Sequence, residues 1–174
     1  RNEIGDGVGE ECTNGGLTRF GRKVIKEMNR LGMIIDVSHL SEKGFWDVIA
    51  LSRQPIIASH SNARKICNHP RNLSDEQFKA IIKAGGVVGI NFYPDFLCTK
   101  EYADITDLLK HIEHFMSLGG EDHIGLGADF DGIDKTPRDL YGVENISNLL
   151  DTLLRLNYSQ TQVEKIASAN FIRI

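Results

Sequence analysis

The sequence predicts an α/β fold built on a parallel sheet, and three observations predict it. Four short runs, 33–38, 55–59, 87–92 and 123–128, are apolar almost throughout, as strands buried on both faces are. Helical periodicity separates them, so strands and helices alternate along the chain. No linker, repeat or low-complexity tract divides the 174 residues, which read as a single domain over 1–174.

The first helix is marked at both ends. Thr18 can cap a segment in which Phe20, Val24, Ile25, Met28 and Leu31 recur at helical spacing, and Gly32 stands where it should stop. Residues 33–38 follow as the first strand. Residues 41–52 read as a second helix carrying Phe45, Val48, Ile49 and Leu51, and 55–59 as the second strand. Ser74 is a strong cap for a helix over 75–84 with Phe78, Ile81 and Ile82 on one face. Gly85-Gly86 ends it, and 87–92 form the third strand. A helix over 105–118 stops at Gly119-Gly120, before the fourth strand at 123–128. Two more helical patterns cover 143–156 and 159–173.

This order fits either a doubly wound sheet or a (β/α)8 barrel. No strand leads into a G-x-G-x-x-G turn, so a dinucleotide fingerprint is missing. Four strands amount to half of an eight-stranded barrel, and half a barrel leaves two sheet edges open. The chain therefore reads as part of a larger fold.

Composition narrows the function. Hydrophobic residues make up 41% and charged residues 25%, which is a folding composition. A net charge of −4 offers no basic stripe to nucleic acid, and no nucleic-acid partner is expected. No apolar run approaches the roughly 20 residues that cross a bilayer, so no membrane segment is expected. Arg1 to Gly7 have neither an initiator Met nor an apolar leader core, and the native start is expected upstream. Cys12, Cys67 and Cys98 are odd in number and far apart; they read as free thiols rather than zinc ligands, which favours a cytoplasmic location. Nothing sets the oligomeric state, and a homodimer is admissible.

Chemistry-bearing residues collect where the strands end. The first strand closes with Asp36-Val37-Ser38-His39, the second with Ser59-His60-Ser61, the third with Asn91, and the fourth with Asp129-Phe130-Asp131-Gly132. In parallel α/β folds these C-terminal ends line the active site. Two histidines followed by a carboxylate fit a metal-dependent hydrolase, since imidazole and carboxylate both suit zinc. A calcium loop at Asp129 fails, because Leu140 occupies the position of its bidentate Glu. Three protein ligands are the usual minimum for a catalytic zinc. His69 lies in the loop after the second strand and is a further candidate. His111 and His114 read as a partly solvated helix face, and His123 starts a strand at the wrong end. The missing ligands are expected outside this chain.

Several motifs together resemble the renal or membrane dipeptidases. They are Gly16-Leu17-Thr18-x-Phe20-Gly21, Glu27-Met28-Asn29-Arg30-Leu31-Gly32-Met33-x-Ile35-Asp36-Val37-Ser38-His39, Pro55-Ile56-Ile57-Ala58-Ser59-His60-Ser61, Arg71-Asn72, Asn91-Phe92-Tyr93 and Gly127-Ala128-Asp129-Phe130-Asp131-Gly132. The resemblance runs from about Gly16 to the end. It implies a (β/α)8 barrel with two zinc ions at its mouth and a dipeptide substrate. His39 and His60 match zinc ligands, Arg71 the grip on the substrate's terminal carboxylate, Asp129 the proton-handling carboxylate, and Asn91 a substrate contact. The family's H-x-D motif, its bridging Glu and its substrate-contacting His are absent and would precede Arg1. The chain by itself is therefore expected to hold at most one zinc, loosely, and to show little activity. Two other readings remain: another metal-dependent barrel amidohydrolase, and a truncated binding module without catalysis.

Overall fold

Thr18 Oγ1 accepts the Gly21 amide and starts α1 (Arg19–Leu31), and Gly32 ends it at φ 68 with its N–H on the Asn29 and Met28 carbonyls. The computed structural model of the chain describes residues 1–10, 13 and 15–174, so Cys12 lies outside the described residues. Next come β1 (Ile35–Asp36), α2 (Glu42–Leu51) under a Ser41 cap, and β2 (Ile56–Ala58). A reciprocal Ser74–Gln77 capping box opens α3 (Asp75–Lys83). After β3 (Val87–Ile90) and the short α4 (Pro94–Leu97), Asp104 caps α5 (Ile105–Ser117), which leads to β4 (Ile124–Leu126). A 3-10 turn (Val143–Asn145) precedes α6 (Ile146–Arg155); α7 (Gln160–Glu164), a π turn (Lys165–Ala169) and α8 (Asn170–Ile172) finish the chain.

The sheet order is β1-β2-β3-β4, and every neighbouring pair is parallel. The registers Ile35↔Ile56, Ile57↔Val87 and Val88↔Ile124 bring the four C-terminal ends to one rim. A doubly wound sheet would reverse strand order at some point; pairing strictly in chain order is the winding of a (β/α)8 barrel wall. Four such units make half of one. The core lies between this sheet and the helices. Phe78 and Phe115 stack at 4.0 Å within it, both fully buried beside Ile56, Val88 and Ile124.

The strands are shorter than their apolar runs. Met33 and Ile34 are half exposed and precede β1, an edge strand with one neighbour. The four-residue α4 is too short to show periodicity. His111 corrects the expectation of a partly solvated helix face, because it is fully buried. Its Nδ1 accepts the Ala63 amide at 3.0 Å and its Nε2 meets the Leu97 carbonyl at 2.9 Å. Burial pushes its pKa down to about 4, so the ring is a neutral strut between the loop after β2 and α4. Among the described residues no helix is long and apolar enough to cross a membrane.

Candidate metal and substrate site

The ends of β1 and β2 are tied together by Asp36. Its Oδ1 accepts the amides of Ser38 and Ser59, each at 3.0 Å, and its Oδ2 accepts the Ser59 hydroxyl at 2.5 Å. Ser38 Oγ in turn accepts the His60 amide at 3.1 Å. Beyond β1 the Leu40 amide bonds back to the Val37 carbonyl, and His39 sits inside this turn at φ 72. That left-handed conformation is one that a residue with a Cβ adopts at a cost. The turn sets the His39 ring 4.9 Å from the His60 ring, edge to face.

His60 is held on one side and open on the other. Its Nδ1 lies 2.7 Å from Ser59 Oγ, whereas its Nε2 is buried and has no hydrogen-bond partner among the described residues. Burial lowers the pKa of both rings; the Arg71 charge and His60 push His39 further down, while Asp129 opposes the shift at each. Both imidazoles are therefore neutral at neutral pH, the form in which nitrogen binds metal.

Asp129 approaches from β4, its Oδ2 4.0 Å from His60 Nε2. It too has positive φ, 61, and the Gly132 amide closes the turn on its carbonyl. Asn91, after β3, is fully buried behind it. The Asn91 Nδ2 reaches Asp129 Oδ2 at 3.5 Å, and its Oδ1 accepts the Tyr93 amide. Asn62 pairs with the Asn91 backbone as a strand would, donating to its carbonyl and accepting its amide, both at 3.0 Å. Two glycines make room at this rim. A Cβ on Gly127 would lie 1.9 Å from the Ser59 carbonyl oxygen, and one on Gly89 2.1 Å from it.

Arg71 comes from the loop after β2. Asn72 anchors that loop by donating to the Cys67 and Phe96 carbonyls. The guanidinium lies over the Phe96 ring, 5.5 Å from its centroid. No carboxylate pairs with it among the described residues, while burial lowers its pKa and Asp129 and Asp36 oppose that shift. A partly buried guanidinium with no carboxylate partner among the described residues suits an anionic group. Arg71 and His39 share the lining of a cleft of about 450 Å³ with Ser61, Arg64 and Asn72.

His39, His60, Asn91 and Asp129 thus meet at the rim, with Arg71 bordering it. His69 does not join them: its Nδ1 accepts the Arg71 amide and its ring packs on Phe96 at 4.5 Å. His123 lies at the opposite end of the sheet, with Nδ1 on the Gly86 carbonyl. Cys67 and Cys98 are free, and neither is at the rim cluster. Among the described residues no group of three or more His, Cys, Asp and Glu side chains could hold a metal ion. Asp36 and Ser59, which the strand-end reading named without a role, and Asn62, which it did not name, are the further contributors. Their signal is pairing between motifs, with D-x-S-H holding S-H-S, which one motif read alone does not show.

Comparison with known proteins identifies the family of the chain. The model of the membrane dipeptidase family (Peptidase family M19) matches residues 2–174. A Klebsiella pneumoniae protein from the pqqA 5′ region, itself uncharacterized, is 41% identical over 182 residues, 99% of this chain and 67% of its own length. A metallopeptidase from Rhodobacter sphaeroides, solved with a phosphinate mimic of the dipeptide L-Ala-D-Ala, superposes with a TM-score of 0.85 at 37% identity; the match covers 90% of this chain and 45% of that one. An amidohydrolase from Pseudomonas aeruginosa superposes with a TM-score of 0.90 at 32% identity, over 99% and 60% of the two chains. The chain thus spans between about half and two thirds of these relatives. By the family match and these likenesses, it belongs to the membrane dipeptidase family, Peptidase family M19.

Proposed function

We propose that this chain supplies part of the catalytic centre of a zinc-dependent dipeptidase. The observation that carries the reading is His60 Nε2: a buried nitrogen without a hydrogen-bond partner among the described residues, beside a second neutral imidazole and 4.0 Å from a carboxylate. An orphaned buried polar atom is costly unless something binds it. This donor set fits zinc, with His39 and His60 as its ligands. Two ligands are fewer than a catalytic zinc uses, so the others, and the ligands of a second zinc, would come from outside this chain. Bound zinc lowers the pKa of water to about 7 and polarises a carbonyl.

The chain's own residues would do the rest. Arg71 grips the free carboxylate of the dipeptide, which fixes substrate length at one end of the cleft. Asp129 Oδ2 takes the proton of the attacking water and passes it to the departing amine. Asn91, expected from the sequence to contact substrate, lies buried behind Asp129 with its Nδ2 3.5 Å from Oδ2, where it would also hold that carboxylate in place.

Turnover of dipeptides by the zinc-loaded enzyme, with the ligands from outside this chain in place, tests the reading. Asp129→Asn should lower kcat by roughly 10²- to 10⁴-fold, with little change in KM. Full turnover by Asp129→Asn would overturn the assignment. The likeness to an amidohydrolase supports a second reading, hydrolysis of an amide other than a dipeptide's, for which cyclic amides are the test substrates. These substrates have no terminal carboxylate for Arg71, so cyclic amides turned over in preference to dipeptides would favour it.

A further inference from the structure

Asp36 and Ser59 bind neither substrate nor metal in the proposal above, yet they are the groups that hold His60. Their hydrogen bonds have a fixed direction. A carboxylate only accepts, so Asp36 takes all three of its bonds from donors: the Ser38 amide, the Ser59 amide and the Ser59 hydroxyl. Ser59 has a single hydroxyl proton, and it is committed to Asp36 Oδ2. Toward His60 Nδ1, at 2.7 Å, Ser59 Oγ can therefore only accept. The ring proton must then sit on Nδ1, and Nε2 carries the lone pair. The other face of the ring does not hold a proton on Nε2: no hydrogen-bond acceptor reaches that atom among the described residues, and Asp129 at 4.0 Å is beyond hydrogen-bond range.

We infer that Asp36 and Ser59 are positioning residues that fix His60 as its Nδ1–H tautomer and so present Nε2 as an open ligand nitrogen. The inference deepens the proposed function and depends on it only for what binds at Nε2. A neutral histidine whose second nitrogen is hydrogen-bonded is the arrangement that orients metal-binding imidazoles elsewhere, with a carboxylate or carbonyl as the usual acceptor. Here a serine stands between the ring and the carboxylate.

Asp36→Asn tests the direction of the relay without changing its shape. The amide oxygen must keep facing the two backbone donors, which places the NH₂ group where Oδ2 was. That group donates to Ser59 Oγ, Ser59 turns its proton to His60 Nδ1, and the ring proton moves to Nε2. Long-range ¹H–¹⁵N correlation of the His60 ring in the metal-free protein, above pH 7, reads the tautomer directly. The expected result is Nδ1–H in the parent and Nε2–H in Asp36→Asn, with a thermal melt lowered by the buried donor this form places at Nε2 and the fold retained. Zinc affinity, measured by competition with a chromophoric chelator, should fall roughly 10- to 100-fold in Asp36→Asn and in Ser59→Ala. Ser59→Thr, which keeps the hydroxyl, should restore both the tautomer and the affinity. A parent ring in the Nε2–H form would overturn the inference, as would an Asp36→Asn ring that stays Nδ1–H. A tautomer that flips with zinc affinity unchanged would support the relay and overturn the assignment of His60 as a metal ligand.

Discussion

His60 Nε2 and Asp129 Oδ2 lie 4.0 Å apart, too far for a direct hydrogen bond and close enough to share one atom between them. They come from strands separated by β3, and each is held from behind, His60 by Ser59 and Asp129 by Asn91. The site is therefore set by second-layer hydrogen bonds on a rigid sheet rim. The predictions below separate residues that bind or react from residues that support the rim.

Arg71 should act on binding. Replacing it with Ala should raise KM for dipeptides by roughly 10- to 100-fold, the worth of a charge-assisted hydrogen bond, with kcat little changed. Amidating the substrate's C-terminus should cost the parent enzyme a similar factor and the Arg71→Ala enzyme nothing further. Steady-state kinetics on the four combinations checks this. Independent, additive losses would remove Arg71 from the carboxylate.

His39 shows conformational cost placed at the site. At φ 72 the position suits glycine, and His39 is exposed enough that little packing depends on its ring. His39→Gly should leave stability within about 1 kcal/mol of the parent, in either direction, while abolishing zinc binding. Chemical denaturation and a zinc titration on the same sample measure both. A large loss of stability would mean that the residue serves the fold.

Gly127 should behave in the opposite way. Its missing side chain leaves room for the Ser59 carbonyl, so Gly127→Ala must displace the segment that carries His60. Overpacking of this kind costs about 1–3 kcal/mol, and the tautomer and metal affinity of His60 should change with it. Thermal melts and the His60 ring signals report the two effects.

His111 predicts a pH dependence far from the site. Its folded pKa is lowered from 6.5 to about 4, chiefly by burial, with the Leu97 hydrogen bond opposing and His114 assisting. Between these values the unfolded chain binds a proton that the folded chain does not. The contribution is therefore complete above pH 6.5 and is lost as pH falls toward 4, by about 3 kcal/mol in all. Urea midpoints measured across this range should show that slope in the parent. His111→Gln, which keeps polar partners for Ala63 and Leu97, should flatten it.

Much of this was legible in the sequence. Thr18 and Gly32 bracket α1 as read, Ser74 caps α3, and each apolar run contains a strand of one parallel sheet. Once strands are parallel and paired in chain order, the residues that follow them must share a rim, so His39, His60, Asn91 and Asp129 could be grouped without coordinates. What was hidden depends on tertiary partners. The burial of His111 follows from two backbone groups, on Ala63 and Leu97, that no local pattern announces. The positive φ of His39 and Asp129 is imposed by their turns, and neither residue type signals it as glycine would. Asn62 resembles any loop asparagine until its partner, the Asn91 backbone, is known.

The most direct measurement is a calorimetric zinc titration of the chain beside its His39→Ala and His60→Ala variants. The proposed centre predicts a single, weakly held zinc in the parent and none in either variant. Zinc bound equally well by all three chains would contradict it.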